Sequence, residues 1–510
     1  MKNVYIIGVD IGGTNTDAVL VDQNEKILCA VKTPTTEEIS EGFSSALKQL
    51  LVVDPQKIQG VFLGTTHATN AILQNKDLFR VGVIRIAGQR PEALPIAFAW
   101  PQELKEAVIG GGETIGGGWE CHGGPLTPFS PQEAAGAIQR LLAKGVESFA
   151  IVGVFSPLNA DQERQTAALV REIAGELFPI SLSSEIGGIG FIERENSTIL
   201  NAALKKVMRQ GFVSLQTACQ QLGLSCPLMV TQNDGSLIEL ERAIEYPVLT
   251  ISAGPTNSFI GATRLSGLDN AIVVDIGGTS TDVGLVRRGF PMRSLNKSTI
   301  GGVSLNFPMP DVLSIGLGGG SHIDFHSEQP KIGPKSVGKA LALQSLSFGG
   351  DQLTLTDVAL FMQYVKIPES NSECLPINKA QGLAVFTQVR TQIEELVLRM
   401  QGESRDLPIL LVGGGAALLP QGEYCIPKHF NVANAYGAAL AEISGLVDTV
   451  VSLNNREEVL EKLYTTAKQK AIDQGANPAT LRLVDQQITP YSYVPNQMAR
   501  VLVRYCGKRQ

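Results

Sequence analysis

The chain has 510 residues, of which 44% are hydrophobic and 18% charged, a composition that indicates a buried interior and, at this length, about three domains or two large ones. The net charge of −7, without a block of Lys or Arg, argues against nucleic acid or an anionic membrane as the main partner. No apolar stretch approaches the roughly 20 residues of a membrane span, the run before Asp10 is too short for a signal peptide, and seven scattered cysteines indicate free thiols, so we expect a cytoplasmic protein.

The first part of the chain alternates between predicted strands and helices. Apolar runs between turn residues predict strands, at 4–10, 17–22, 27–33, 61–64, 80–86 and 149–155. Helical spacing of apolar residues predicts helices over 39–50, in TTHATNAILQ after a threonine cap, and from Pro131 to about Lys144. Thr35 and Glu38 fit a capping box, and Ser130 fits an N-cap before Pro131.

An eight-residue word occurs twice, as DIGGTNTD at 10–17 and DIGGTSTD at 275–282. Each copy follows an apolar run and precedes another, so the pattern predicts an internal duplication of a mixed α/β unit. A long helix is predicted over 195–224, joining the halves. A helix over 457–475 followed by strand-like runs around LRLV and ARVLVRY predicts a C-terminal α/β appendage. The resulting domains are 1–190, 191–450 and 451–510.

The repeated word has a chemical logic. An Asp at the end of a buried strand places a carboxylate at the sheet edge where α/β proteins bind ligands. The Gly-Gly pair lets backbone N–H groups approach an anion, and Thr hydroxyls add donors. A carboxylate beside a phosphate makes sense when Mg²⁺ lies between them. The alternative is a strand–turn–strand hairpin whose Asp only stabilises the turn; two copies favour the nucleotide-phosphate interpretation.

The pair of words resembles the two phosphate loops of the actin–hexokinase–heat-shock ATPase superfamily. The resemblance implies an α/β fold of duplicated ribonuclease-H-like domains with ATP and Mg²⁺ in the interdomain cleft. That superfamily also has a glycine-rich stretch that contacts the adenosine, and LVGGGAALL at 411–419 matches it. GLGGGS at 316–321 is expected to supply another backbone cradle. A lone glycine triplet is otherwise typical of an ordinary loop or helix cap.

Within that superfamily, several stretches resemble the hydantoinase/oxoprolinase A-subunit family. They are GTTHATNAIL (64–73), ENSTILNAAL (195–204), SAGPTNSFIGA (252–262), DIGGTSTDV (275–283), SIGLGGGS (314–321) and the C-terminal AIDQGANPATLRL and PYSYVP. The combination of GTT-x-ATNA with DIGGTSTDV is the specific part. The resemblance covers almost the whole chain and implies ATP-dependent hydrolysis of a cyclic amide, such as 5-oxoproline or a hydantoin, through phosphorylation of the amide oxygen.

The resemblance also implies roles for individual residues. Asp10 and Asp275 are expected to hold Mg²⁺ directly or through water. Asp17 and Asp282 are candidates for orienting the attacking water or the metal, with Asp17 favoured. The residues expected to bind the nucleotide are Gly12, Gly13, Thr14, Thr16, Gly277, Gly278, Thr279, Ser280, Thr281, Gly318, Gly319, Gly320, Gly413, Gly414 and Gly415.

His67 lies at a predicted helix start, where it either contacts substrate as a catalytic group or is satisfied by the backbone. His322, Asp324 and His326 would share one strand face, which can ligate a second divalent metal such as zinc or manganese; a solvated strand face is the favoured alternative. Cys121 and His122 in a glycine-rich loop are interpreted as loop residues.

The resemblance implies partners as well. Many relatives need a second, B-type polypeptide, and this chain matches only the A part; a homo-oligomer is a further option. The alternative functions are a small-molecule kinase, an ATP-dependent carboxylase subunit and a chaperone-like reactivating ATPase.

Overall fold

The computed structural model describes residues 4–35, 39–88, 94–188, 190–294, 298–307, 309–325, 329–371, 375–402, 406–419, 424–491 and 497–510. Strands and helices alternate through the first half. The strands are β1 (Tyr5–Ile11), β2 (Asn15–Asp22), β3 (Ile27–Pro34), β4 (Ile58–Thr65), β5 (Val81–Ile86), β6 (Ile109–Ile115), β7 (Ser148–Gly153), β8 (Ile180–Leu182), β9 (Leu228–Thr231) and β10 (Ser236–Glu239). The helices are α1 (Ile39–Leu50), α2 (His67–Gln74), α3 (Gln102–Val108), α4 (Pro131–Leu142), α5 (Asp161–Ala174), α6 (Ser183–Ile186), α7 (Phe191–Gln221) and α8 (Leu240–Glu245).

The second half adds shorter strands and then returns to long elements. Its strands are β11 (Ala271–Ile276), β12 (Thr281–Arg287), β13 (Phe290–Pro291), β14 (Ser298–Ile300), β15 (Val303–Leu305), β16 (Val312–Ile315), β17 (Ser321–Asp324), β18 (Lys331–Ser336), β19 (Ile409–Val412), β20 (Glu442–Ser452), β21 (Arg482–Pro490) and β22 (Met498–Gly507). Its helices are α9 (Ala253–Ser266), α10 (Leu341–Gln344), α11 (Leu355–Phe361), α12 (Lys379–Gln401), α13 (Ala433–Ala439) and α14 (Arg456–Asp473).

The two words begin two copies of one sheet unit. In the first copy β1 pairs antiparallel with β2, β2 antiparallel with β3, and β1 parallel with β4. In the second copy β11 pairs antiparallel with β12, β12 antiparallel with β13, and β11 parallel with β19. We call the half built around β1 the first lobe and the half built around β11 the second lobe. The predicted duplication is therefore confirmed.

The first-lobe sheet has nine strands in the order β21-β22-β20-β10-β9-β4-β1-β2-β3. The β22 strand pairs along ten residues of β20, from Ile443↔Gly507 to Ser452↔Met498. Strands from all three predicted domains, 1–190, 191–450 and 451–510, thus lie in one sheet. Sheet membership does not follow those predicted boundaries, because strand partners are chosen by tertiary packing as well as by sequence order.

A smaller parallel sheet, in the order β6-β5-β7-β8, lies within the first half of the chain. Helices α4 and α5 cover it and share with it a separate hydrophobic core. The 31-residue helix α7 begins four residues before its predicted start and packs against α1, β7 and α8. It also contacts the β14–β15 hairpin, whose apolar residues enter the core that α7 shares with β1.

Most of the segments predicted as helices or strands are helices or strands in the structure. Ser130 caps α4, accepting a hydrogen bond from the Glu133 N–H at 3.3 Å. Thr66 is the N-cap residue of α2, yet its hydroxyl donates to the Ile11 carbonyl at 3.3 Å and makes no cap bond. The second member of the predicted Thr35–Glu38 capping box lies outside the described residues. Nowhere in the described parts of the chain does a helix have the length and apolarity that a membrane span requires.

Candidate active site

Each repeated word folds as a tight turn between two strands. The first and last residues of each word are cross-strand partners, Asp10↔Asp17 in the first lobe and Asp275↔Asp282 in the second. The turn is closed in both copies by the same backbone hydrogen bond. It runs from Gly12 N to Asn15 O at 3.0 Å and from Gly277 N to Ser280 O at 2.9 Å. The shared sequence therefore encodes a shared backbone geometry.

The two turns face each other across the lobes. A Cβ atom at Gly278 would lie 3.3 Å from Oγ1 of Thr14, so the second turn lies close against the first. The carboxylates are also close enough to interact, since Asp17 and Asp275 both raise the pKa of Asp10. Two turns that lie more than 260 residues apart in sequence thus form one acidic site.

Asp10 is a strongly perturbed acid. Asp10 is 4% exposed. Its burial, and to a smaller extent the charges of Asp17 and Asp275, raise the pKa of its carboxyl to about 7. The Asn434 side chain partly opposes this by donating to Oδ2 at 2.8 Å. The other carboxylate oxygen, Oδ1, is buried and has no hydrogen-bond partner among the described residues, which is costly unless another group binds there.

Asp17 is supported by two donors. The Lys32 Nζ lies 2.6 Å from its Oδ1, and Asn434 Nδ2 donates to Oδ2 at 3.2 Å. Burial raises the pKa of Asp17, and Lys32 opposes the shift. One amide, Asn434 at the start of α13, therefore bridges Asp10 and Asp17.

The second-lobe acids have separate supports. Burial raises the pKa of Asp275, while a hydrogen bond with Ser258 of α9 lowers it. Burial raises the pKa of Asp282 to about 6, against a hydrogen bond from the Ser314 hydroxyl. All four aspartates of the repeated words thus have raised pKa values, as expected where carboxylates are clustered away from water.

Two predicted phosphate-binding threonines lie inside the protein. Thr16 and Thr281 are fully buried. The Thr16 hydroxyl lies 3.2 Å from that of Thr35, and Thr281 donates to the Leu317 carbonyl at 2.7 Å. These hydroxyls brace the turns, whereas Thr14 and Thr279 remain nearer the surface of the site.

The Gly318–Gly320 segment supports the second turn from behind. Gly319 N donates to Gly277 O at 3.1 Å and Gly320 N to Gly278 O at 2.8 Å. Gly318 N donates to the Ser321 hydroxyl at 2.8 Å. All three N–H groups are engaged within the protein, which differs from the predicted cradle for phosphate. Close packing is their evident role, since a Cβ at Gly318 would lie 2.6 Å from Thr279 N.

The Gly413–Gly415 triplet directly follows β19, beside Asp275. Gly413 has φ +84°, and a Cβ there would lie 2.1 Å from Asp275 Oδ1. A Cβ at Gly415 would lie 2.4 Å from Ile276 Cγ2. Gly414, by contrast, has no heavy atom within 4 Å of its Cβ position. The middle glycine alone of this triplet faces open space, as a ligand-contacting position would.

A pocket of about 570 Å³ opens beside the first turn. Its wall includes Gly12 and Gly13, then Thr66, His67 and Asn70 at the start of α2. His67 also lies against α7, because a Cβ at Gly211 would be 3.4 Å from its Nε2. Burial lowers the pKa of His67. His67 is therefore at the start of α2 as predicted, and it shares the pocket wall with the first word as a neutral imidazole at neutral pH.

Helices α9 and α13 hold the site together. A Cβ at Gly261 would lie 1.8 Å from the Ala433 carbonyl oxygen, and one at Gly8 would lie 2.1 Å from that of Ala435. Glycines therefore let α13 approach both α9 and β1 closely. This contact brings Asn434 to the first word while Ser258 reaches the second.

Sequence reasoning missed Lys32, Asn434 and Ser258. For Lys32 a signal was available, since the Gln23–Lys26 turn sets a hairpin register that pairs Asp17 with Lys32. Ser258 falls within the SAGPTNSFIGA stretch, but nothing in the sequence singles out its hydroxyl. Asn434 lies 417 residues from Asp17 and carries no local signal.

The proposed second metal site is not supported by the described residues. His322 and Asp324 follow the predicted alternation on β17, opposite the buried Ser321 and Ile323. His326 lies outside the described residues. Among those that are described, no group of three or more His, Cys, Asp or Glu side chains is placed to hold a metal ion. Cys121 and His122 are exposed in a loop, as predicted.

Comparison with known proteins identifies the family. The model of the hydantoinase/oxoprolinase N-terminal region matches residues 6–174, and the hydantoinase/oxoprolinase model matches residues 194–372. The chain belongs to the hydantoinase/oxoprolinase family. Its predicted fold class is confirmed by the crystal structure of an ATP-dependent caprolactamase from Pseudomonas jessenii, with a TM-score of 0.77, 20% identity, and coverage of 99% of this chain and 88% of that one.

Two curated relatives have named activities. Caprolactamase subunit alpha from Pseudomonas jessenii is 29% identical over 426 residues, which are 77% of this chain and 59% of that protein. Acetophenone carboxylase gamma subunit from Aromatoleum aromaticum is 24% identical over 414 residues, 74% of this chain and 55% of that protein. The chain thus spans less than two thirds of the length of either relative.

Proposed function

We propose that this chain is the ATP-using part of an enzyme that hydrolyses a cyclic amide such as 5-oxoproline, a hydantoin or a lactam. The observation that carries the proposal is the pair of acidic glycine turns that face each other beside a polar pocket. The family membership and the caprolactamase relative support the reaction class. An enzyme of this type would work in the cytoplasm, where ATP is available.

Asp10 and Asp275 fit a Mg²⁺ ion. Asp10 Oδ1 is a buried carboxylate oxygen without a partner, and oxygen ligands of this kind are those that Mg²⁺ prefers. The charges of Asp17 and Asp275 also raise the pKa of Asp10, a repulsion that a divalent cation would relieve. When bound, Mg²⁺ supplies charge neutralisation at the nucleotide phosphates.

The exposed backbone of the two turns would bind the phosphates. Gly13 and Thr14 would do so from the first lobe, and Gly278, Thr279 and Ser280 from the second. Gly12 and Gly277, whose N–H groups close the turns, would shape the backbone instead. Gly414, which faces open space, would lie beside the adenosine. Thr16, Thr281 and the Gly318–Gly320 segment would act indirectly by fixing these turns.

The cyclic amide would occupy the pocket beside the first turn. Its carbonyl oxygen attacks the γ-phosphorus of ATP, the bond to the bridging oxygen breaks, and ADP departs with the electron pair. Water then adds to the activated carbon, and the adduct collapses by breaking the C–N bond, so that the amine takes a proton and an acyl phosphate remains. A second water adds to the acyl carbon, the C–O bond to the phosphate breaks, and the open amino acid and inorganic phosphate are released. His67 would contact the substrate, and Asp17, held by Lys32 and Asn434, would orient the water. General-base assistance of this kind contributes roughly 10²–10⁴-fold.

A second polypeptide would complete the enzyme. This chain spans 59% of the caprolactamase subunit and 55% of the carboxylase subunit, and both are named as subunits. We therefore expect a B-type partner to contribute to the full reaction.

The test is ATP turnover with a panel of rings. The purified chain, alone and with a co-expressed B-type partner, is given ATP, Mg²⁺ and 5-oxoproline, hydantoin or caprolactam. We expect one ring to stimulate phosphate release, with one phosphate formed per ring opened. Phosphate release that no ring changes would refute the proposal and favour a chaperone-like ATPase, and a stable phosphorylated product would indicate a kinase.

The carboxylase relative supplies a second candidate. The same turns would then serve to phosphorylate an enolate or a carboxyl group. Turnover that requires bicarbonate and a ketone, and that no cyclic amide stimulates, would select this alternative.

A further inference from the structure

Lys339 lies on a turn that packs against the second word and is hydrogen-bonded to the neighbouring Gly318–Gly320 segment. Val337 N donates to the Gly320 carbonyl at 3.0 Å, and Gly338 N donates to the Ser336 hydroxyl at 3.1 Å. A Cβ at Gly338, which has φ +53°, would lie 3.6 Å from Thr279 Cγ2. The backbone at 337–339 is therefore positioned by the second phosphate turn.

The Lys339 side chain extends away from this anchor toward the first lobe. Among the described residues, it is the one member of the second lobe that lines the pocket beside Gly12, Gly13 and His67. Its side chain is exposed. The ammonium group is therefore attached to the second lobe and lies at the pocket beside the first turn.

Among the lysines that the structure describes, no other one combines these properties. Lys32 is paired with Asp17 at 2.6 Å. Lys76 lines the same pocket but follows the C-terminal end of α2, whose eight residues span about 12 Å from His67. Lys339 makes no ion pair within the part of the chain that the structure describes. It is thus an unneutralised cation at the boundary between the phosphate turns and the pocket.

We propose that Lys339 is a catalytic residue that contacts the phosphoryl group during its transfer. This inference rests on the proposed function. As the amide oxygen forms its bond to the γ-phosphorus, the bond to the β–γ bridging oxygen breaks and its electron pair leaves with ADP. Negative charge spreads over the three non-bridging oxygens of the phosphoryl group. The Lys339 ammonium donates hydrogen bonds to them and keeps its protons, so it stabilises the transferring group more than the bound ATP.

The test measures binding of a transition-state mimic by the full chain. Wild type and Lys339→Met are titrated with Mg²⁺–ADP and with Mg²⁺–ADP–aluminium fluoride. We expect Lys339→Met to weaken the aluminium fluoride complex roughly 100-fold relative to the ADP complex, the effect of losing one preorganised donor. Lys339→Arg should restore part of this difference, because it keeps the charge.

Two matched controls separate position from charge. Lys335→Met removes an exposed lysine from β18, four residues earlier and outside the pocket wall. Lys76→Met removes the lysine at the far end of the pocket. Both should bind the aluminium fluoride complex as tightly as wild type.

An unchanged ratio of the two affinities in Lys339→Met, or an equal loss in Lys76→Met, would overturn the assignment. Failure of the proposed function is a separate result, in which wild type binds the aluminium fluoride complex tightly but opens no ring. Where a ring is turned over, Lys339→Met should lower kcat by a similar factor and change KM for ATP little.

Discussion

The burial of Asp10 among other acids has a cost to stability. The folded protein raises its pKa from 3.8 to about 7, so the folded state binds this proton more tightly than the unfolded chain does. The resulting stabilisation is fully present below pH 4 and is lost as the pH rises toward 7. A carboxyl buried among other acids therefore destabilises the protein at neutral pH, as groups at functional sites commonly do.

We predict that Asp10→Asn separates these two effects. In EDTA above pH 7 it should raise the melting temperature, on the order of 2 °C, because it removes a buried charge while its carbonyl can still accept from Asn434. It should also lower ATP turnover at least about 100-fold. Thermal unfolding between pH 4 and pH 8 measures the first effect, and phosphate release the second.

Asp269→Asn is the matched control, since this carboxyl precedes β11 in an exposed loop. It should change neither stability nor turnover. An Asp10→Asn protein that retains full turnover would exclude the metal role, and one that is less stable than wild type at pH 8 would contradict the burial argument.

At the scale of elements, the sequence predicted what depends on local pattern. The two words, the apolar runs around them and the Ser130 cap specify strands, turns and the start of α4 through short-range rules. They also located the first strand within one residue, since the predicted 4–10 became Tyr5–Ile11. Thr16 and Thr281, predicted to bind phosphate, have their hydroxyls engaged inside the protein, because alternation along β2 and β12 directs these side chains inward.

The supports that come from other elements could not be predicted. Asn434 reaches Asp10 and Asp17 only because Gly8 and Gly261 allow α13 to approach β1 and α9. Nothing local to Asn434 encodes that approach. The same holds for Lys339, whose position depends on the packing of 337–339 on the second turn.

The glycine triplet after β19 gives a prediction at this scale. Gly413→Ala should lower both stability and turnover, because its φ of +84° and the 2.1 Å approach to Asp275 Oδ1 leave no space for a Cβ. Gly414→Ala should keep wild-type stability, since its Cβ position is open, and should raise KM for ATP several-fold by crowding the nucleotide. Melting temperature and initial rates over a range of ATP concentrations measure both.

The neighbouring glycines are thus each other's control. If Gly414→Ala left KM for ATP unchanged, the triplet would be a packing feature alone. If Gly413→Ala were as stable as wild type, the backbone at this turn would be more adaptable than its contacts indicate.

At the scale of the whole molecule, the C-terminal segment is part of the nine-stranded sheet of the first lobe. Residues 451–510 were predicted as an appendage, yet β22 supplies the hydrogen-bonding partner of β20 and also of β21. The buried Arg504 of β22 donates to the Asp234 carbonyl at 3.0 Å, between β9 and β10. This segment therefore forms one edge of the sheet that contains β1, and β1 carries Asp10.

We predict that a chain truncated after Asn454 does not keep a native first lobe. It would lose the strand that pairs with β20 along ten residues. It would also expose Val447, which α14 covers in the full chain, and remove the hydrogen bond from Arg504 to the Asp234 carbonyl. Exposed strand edges and apolar patches of this kind promote aggregation. We expect low solubility, binding of a hydrophobic dye and no binding of Mg²⁺–ADP.

Supplying 455–510 as a separate polypeptide should restore part of that nucleotide binding, because the missing strands can pair in trans. A truncated chain that remains monomeric, melts at the wild-type temperature and binds Mg²⁺–ADP would instead establish the segment as an independent appendage and confine the nucleotide site to the two duplicated units.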